Sequence, residues 1–167
     1  MKYVQRLNGT RTIQKTNVLE HCYNTGMLFI ELAKMNNITI TKSEMDYVFM
    51  HDVPEILTGD ILYPAKKIIN HEWEEMEYKI VQELNPSLLE YTEKEAQKIF
   101  SESSWRLFRH CDLLELALFI KDEIQLGNNC SAIMNIDHTC EELLNSHELY
   151  FHLSAHVLTT FGSRHGN

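Results

Sequence analysis

Turn-forming residues are scarce in this chain, with 6 glycines and 3 prolines among 167 residues. An all-β sandwich or barrel places a turn roughly every 8–12 residues, so that class is excluded. Long apolar runs are missing as well. None approaches the ~20 residues of a membrane span, and the opening stretch MKYVQRLNGTRT has no apolar signal-peptide core. A cytoplasmic protein is expected. Paired cysteines are absent, because Cys22, Cys111, Cys130 and Cys140 form no CxxC motif. In a cytosolic chain they are expected to be reduced core thiols rather than a disulfide framework. Cys22 and Cys111 adjoin His21 and Asp112, which leaves a metal role open for both. Positive charge is in deficit, with 15 Lys and Arg against 24 Asp and Glu and a net charge of −9. Binding to a nucleic-acid polymer relies on Lys and Arg and is not expected. The deficit is uneven, however. The first 15 residues hold Lys2, Arg6, Arg11 and Lys15 and no acid, a local patch able to hold a phosphate.

What the chain has is helical periodicity. Residues 1–16 read as an irregular arm. Asn17 followed by Glu20 has capping-box spacing, and Val18, Cys22, Thr25, Phe29 and Leu32 make one helix face ending at Asn36-Asn37. Thr41 with Glu44 opens a second helix through about Asp52, which Pro54 stops or restarts. Residues 65–84 form a charged amphipathic helix with Ile68, Ile69, Trp73, Met76, Ile80 and Leu84 inward. Its acidic run, Glu72, Glu74, Glu75 and Glu77, reads as a solvated face. Thr92 with Glu95 caps a shorter helix, and Ser103 or Ser104 opens the most apolar one, running to Leu126 and stopped by Gly127. Residues 129–167 add two closing helices, 130–146 and 148–161. The expectation is a single all-α domain, residues 1–167, of about seven or eight helices.

Four ionisable residues sit inside these apolar helices, where such a side chain is costly without a partner. His21 lies on the apolar side of the first helix, and His51-Asp52 ends the second. Asp112 shares a stripe with Trp105, Phe108, Leu116 and Phe119 in the most apolar helix and is expected to point into the core. Each alone reads as a satisfied core residue. Two imidazoles and two carboxylates together suit a divalent transition metal, Mn, Fe, Co or Zn, better than Mg or Ca. His152 and His156, at i and i+4, lack an obvious third ligand. Trp73 and Trp105 read as core residues rather than base-stacking platforms.

The order of these residues, a His, then His-Asp about 30 residues later, then a helical Asp about 60 beyond, resembles the HD-domain metal phosphohydrolases. The segment HDVPEILTGDILYPAK (His51 to Lys66) is similar to the 5′-deoxynucleotidase branch of that superfamily. TNVLEH (Thr16 to His21) matches its first-ligand segment, and HCDLLELALFIKDEIQLGN (His110 to Asn128) its last-ligand helix. The likeness spans roughly residues 6–128.

The resemblance implies an HD-domain helical bundle in which His21, His51, Asp52 and Asp112 bind one divalent metal. It implies that Glu55 and Asp60 are catalytic, with Glu55 handling a proton beside the metal. It implies a phosphate-binding role for Arg6, 15 residues before His21, and for Lys66. In the deoxynucleotidases a Trp follows the phosphate Arg and crowds the sugar 2′ position, and Leu7 stands there in this chain. The implied reaction is release of deoxynucleoside and phosphate from a 2′-deoxynucleotide. A triphosphohydrolase of dATP or other dNTPs, as in compact phage relatives, stays open, and a phage origin would put the protein in host cytoplasm. A cyclic-nucleotide phosphodiesterase is disfavoured by the LTGD segment. A non-catalytic nucleotide-binding module would have no need of all six residues. The expected partner is a deoxynucleotide, with no membrane, and a homo-oligomer is expected from the relatives.

Overall fold

The computed structural model describes residues 4–7, 9–59, 61, 68–69 and 71–146. Asp60, Lys66, His152, His156 and the expected helix 148–161 lie outside them. Among the described residues seven α-helices and one 3₁₀ helix form, with no strand beyond an isolated bridge between Gln5 and Asn17. In chain order they are α1 (Val18–Met35), α2 (Lys42–Met50), α3 (Glu55–Thr58), α4 (His71–Leu84), the 3₁₀ helix Pro86–Tyr91, α5 (Glu93–Ala96), α6 (Glu102–Gln125) and α7 (Ser131–Ser146). The all-α class expected from the sequence is the class observed. No helix among the described residues is long and apolar enough to cross a membrane.

Local chemistry sets most of the boundaries. Asn17 caps α1 by accepting the Glu20 N–H at 3.1 Å. The chain leaves α1 through Asn37, whose φ of 54° is a left-handed conformation that asparagine tolerates. Thr41 and Glu44 form the full reciprocal capping box on α2. Pro54 restarts the chain as the short α3, so α2 ends at Met50 and His51-Asp52 sits in the turn between them. α6 begins earlier than Ser103 or Ser104. Ser101 is its N-cap and Ser104 takes the position usually held by Glu, each hydroxyl accepting the other's backbone N–H. Thr92 does not cap α5 with its side chain, because its hydroxyl instead donates to the Leu89 carbonyl at 2.7 Å.

The core forms where α1, α2 and α6 meet. Phe29, Leu32, Val48, Leu107, Phe108 and Leu114 are fully buried there. Burial of each such side chain stabilises by roughly 1.5–3 kcal/mol. α7 closes over α6 with Ile133, Cys140 and Leu144 buried, and Lys121 bridges Asp137 and Glu141 across the pair. All four cysteines are free, and burial pushes the Cys140 thiol up to about 12. Cys22, Cys111 and Cys140 are buried, whereas Cys130 is half-buried and lies outside the core. α4 departs from its expected apolar face: Trp73 and Val81 are buried, while Ile68, Met76 and Leu84 are exposed. It packs on α3, α5 and the 3₁₀ helix rather than on the core helices, so less of its stripe is covered.

Candidate metal centre

The α6 residues that enter the core are Leu107, Phe108, Cys111, Leu114 and Ala117, so the stripe shared by Phe108 and Asp112 runs along the edge of the buried face. Asp112 is therefore half-buried at the edge of the core and faces α1 and the α2–α3 turn, rather than pointing into the apolar interior. Opposite it, His21 is fully buried on the inner face of α1. His51 caps α2, with its ring edge-on to Phe108 at 5.1 Å. The helix end allows His51 and Asp52, though consecutive, to reach one point.

The donor atoms converge closely. His21 Nε2 lies 3.1 Å from His51 Nε2, 3.0 Å from Asp112 Oδ1 and 3.5 Å from Asp52 Oδ2. His51 Nε2 lies 3.5 Å from Asp52 Oδ1 and 3.8 Å from Asp112 Oδ1. Ligands bound at ~2.1 Å to one cation stand ~3.0–3.4 Å apart at octahedral to tetrahedral angles, so these separations suit a shared ion. His21, His51 and Asp112 bring ligand atoms within 4.8 Å of one another, and so, as a second set, do Cys22, His51 and Asp52, which places Asp52 and a thiol on the other side of His51.

The far side of each imidazole fixes which nitrogen is available. His51 Nδ1 lies 2.7 Å from the Val48 carbonyl, which can only accept, so Nδ1 carries the proton. His21 Nδ1 lies 2.6 Å from Glu115 Oε2, and the carboxylate imposes the same tautomer. Both Nε2 lone pairs then face each other at 3.1 Å. Only an added proton or a cation reconciles that arrangement. Such a donor arrangement suits a metal ion, with carboxylate and carbonyl partners orienting each imidazole from behind.

Glu115 is the residue that reading the sequence missed. It is buried among α6 side chains and accepts from three groups: His21, Arg6 Nη1 at 3.1 Å and Asn24 Nδ2 at 3.5 Å. Its partners lie 94, 109 and 91 residues away in sequence, so no local spacing announces it. The available signal was a charged residue one turn after Asp112 in an otherwise apolar stretch.

Arg6 reaches this cluster from the arm. Burial opposes its charge, but Asp52, Glu115, Asp112 and Glu55 hold its pKa above the ordinary value. Glu55 is buried at the start of α3, one turn past Asp52. Leu7 follows Arg6 with φ 57°, a strained left-handed conformation for a branched side chain. The arm is pinned by the Arg6 N–H to the Thr16 carbonyl at 3.3 Å and by a latch on the distal end of α6. There the buried Glu123 carboxylate accepts the Ile13 and Gln14 N–H groups, both at 2.7 Å. Asn128 donates to Glu123 and to the Arg11 carbonyl.

The close packing of these groups perturbs their titration. Burial and Arg6 work against a proton on His21, yet Glu115 and Asp112 outweigh them and its pKa rises to about 9. His51 is raised well above its usual value despite burial, chiefly by Asp52. Asp112 and Asp52 are held low, against burial, by the two imidazoles.

Comparison with known proteins agrees with the geometry. A family model described as HD domain matches residues 1–148. A 5′-deoxynucleotidase from Cronobacter sakazakii is 29% identical, the match covering 77% of this chain and 71% of that one. Among solved structures, the cyanophage S-2L HD phosphohydrolase DatZ, bound to dA and one catalytic Zn2+ ion, superposes with a TM-score of 0.70. Its identity is 20% over 86% of this chain and 77% of DatZ. A conserved hypothetical protein from Pyrococcus furiosus gives a TM-score of 0.56 at 20% identity, covering 81% and 84% of the two chains.

Proposed function

The chain belongs to the HD-domain family and is a metal-dependent hydrolase, and we propose that the bond it breaks is the 5′ phosphoester of a 2′-deoxynucleotide. The observation that carries this reading is the convergence of His21, His51, Asp52 and Asp112, with two imidazole lone pairs turned onto one point. The 5′-deoxynucleotidase relative and the dA held by DatZ support the substrate class.

In this reading the four residues hold one divalent ion, of the Mn, Fe, Co or Zn type that mixed nitrogen and oxygen donors favour. The zinc in DatZ is consistent with that set. A cation there supplies Lewis acidity, which lowers a water's pKa and offsets charge building on the phosphoryl oxygens. The remaining chemistry belongs to the chain. The Arg6 guanidinium holds a phosphate oxygen, and its bond to Glu115 anchors it beside His21. Glu55, with Asp60, takes the proton from the attacking water. The water oxygen bonds to the α-phosphorus, the bond to O5′ breaks, and O5′ leaves protonated as the deoxynucleoside. Leu7 presents bulk beside the sugar, and the family resemblance assigns Lys66 to phosphate binding. The leading form is a 5′-deoxynucleotidase releasing deoxynucleoside and phosphate.

The test is turnover of dAMP, AMP and dATP by protein loaded with Mn2+, Co2+ or Zn2+. Deoxynucleoside release is expected, with Glu55→Ala retaining the metal and losing about 10²–10⁴-fold in rate. Absence of turnover with every metal and deoxynucleotide would overturn the reading.

A further inference from the structure

The two sets of donor atoms overlap at His51 without merging. One is His21, His51 and Asp112, the other Cys22, His51 and Asp52, and neither contains both His21 and Cys22. The approach of the thiol has a structural cause. Cys22 follows His21 on α1 and is buried. One turn further on, a side-chain carbon at Gly26 would overlap the Phe49 ring. The bare glycine lets the end of α2 lie directly against α1, which brings the His51-Asp52 turn to Cys22. Cys111, the other thiol beside a proposed ligand, belongs to neither set.

The chemistry of the two sets differs. The first offers two imidazoles and a carboxylate. In the second a sulfur stands in place of one imidazole. Thiolate is a soft donor that favours Zn2+ and, more strongly, Cd2+, whereas Mn2+ prefers oxygen. His51 cannot serve two ions at once. Its Nδ1 proton is committed to the Val48 carbonyl at 2.7 Å, so Nε2 is its one donor atom. Asp52 is less constrained, because Oδ1 lies 3.5 Å from His51 Nε2 and Oδ2 lies 3.5 Å from His21 Nε2. Two positions therefore compete for one imidazole.

We propose that Cys22, with His51 and Asp52, forms a second metal position for thiophilic ions, in competition with the position held by His21 and Asp112. Binding there forms a sulfur–metal bond and releases the thiol proton to solvent. An ion drawn to the sulfur takes His51 from His21 and Asp112, so it opposes the ion held for catalysis. The inference goes beyond the hydrolase reading and does not depend on its substrate.

The experiment uses the chain carrying Cys130→Ser, which removes the half-buried thiol outside the core. Co2+ and Cd2+ are titrated in and followed by absorbance. An ultraviolet sulfur-to-metal charge-transfer band is expected. Adding Cys22→Ser should abolish it, while the visible Co2+ bands of nitrogen and oxygen donors persist. The ratio of Cd2+ to Mn2+ affinity, measured by competition, should fall about tenfold or more in Cys22→Ser, at least the scale of losing an outer-shell partner. No band with metal in excess, a band that survives Cys22→Ser, or an unchanged ratio overturns the proposal. Should Cys22→Ser fail to fold, X-ray absorption of the zinc-loaded Cys130→Ser protein decides. Sulfur at ~2.3 Å from zinc supports the position, and nitrogen and oxygen alone at ~2.0–2.2 Å overturn it. Deoxynucleotide turnover without a sulfur bond counts against this proposal alone, and a sulfur bond without turnover counts against the deoxynucleotide reading alone.

Discussion

At the scale of single residues, Glu115 links the chemistry of the cluster to the arm. One carboxylate orients His21 through Nδ1 and anchors Arg6 through Nη1. Replacing it by Gln removes the charge that makes His21 a stronger ligand and leaves Arg6 facing the cation. Metal affinity is expected to fall about 10–100-fold, the range seen when an outer-shell carboxylate is lost. Titration of Zn2+ or Co2+ against a chromophoric chelator measures this, and unchanged affinity would show Glu115 to be structural only. The same assay has a pH signature. With no metal bound, the folded-state pKa of His21 is about 9, above its ordinary 6.5. The proton therefore stabilises fully below about 6.5 and its contribution disappears as pH rises through 9. A metal must displace it, so apparent affinity is expected to climb about tenfold per pH unit for each proton released, levelling near pH 9. A flat profile between pH 6 and 8 would count against proton displacement at this cluster. Glu115 was not legible in the sequence because its meaning depends wholly on residues about a hundred positions away. Asp112 was legible as an anomaly, but its direction was not. A one-position difference in helical stripe separates a buried side chain from one at the edge of the core, and only packing decides it.

At the scale of elements, the boundaries that were readable are those set within four residues. The Thr41–Glu44 box and the Pro54 restart follow from chemistry contained in the segment itself. The start of α6 was misread because Ser101, Ser103 and Ser104 can all cap. Tertiary contact selects among them: Ser104 Oγ bonds the buried Glu44 carboxylate, which also accepts the Ser101 N–H at 3.4 Å. That ties the start of α6 to α2 at a site no local pattern records. The arm is fixed in a comparable way by Glu123. Burial raises the Glu123 pKa, but its bonds from Asn128, Ile13 and Gln14 outweigh this and the value is lowered. A depressed carboxylate pKa gives stability that is present above the unfolded value near 4.5 and is lost as pH falls through the folded one. The latch is therefore intact at neutral pH and opens in acid. Glu123→Ala should mimic the acid effect at pH 7, leaving two backbone N–H groups without their acceptor at a cost of about 1–3 kcal/mol. Hydrogen exchange of residues 9–16 is the readout, with faster exchange in the variant and no change in the middle of α6. Unaltered arm exchange would mean the loop is held elsewhere.

For the whole molecule, the site is a joint between elements distant in the chain. α1 supplies His21, the α2–α3 turn supplies His51 and Asp52, and α6 supplies Asp112. These elements also build the core, around Phe29, Val48 and Phe108. Any ion bound between them acts on global stability, because unfolding must release it. At a free metal concentration 100 times Kd the linkage contributes about 2.7 kcal/mol. For a domain of this size each kcal/mol moves Tm by about 2–4 °C. Saturating metal should thus raise Tm by about 5–11 °C, and a chelator should reverse the shift. His51→Ala removes one donor while keeping the Asp52 and Asp112 carboxylates, so its apo form should gain little from metal. Without the cation, two Nε2 atoms 3.1 Å apart and two carboxylates must share protons instead, which leaves the metal-free fold dependent on pH in a way the loaded one is not. Scanning calorimetry at pH 6 and 8, with and without metal, separates these cases. If metal raises Tm equally in wild type and His51→Ala, the ion is bound elsewhere, and the convergence of the four side chains is structural.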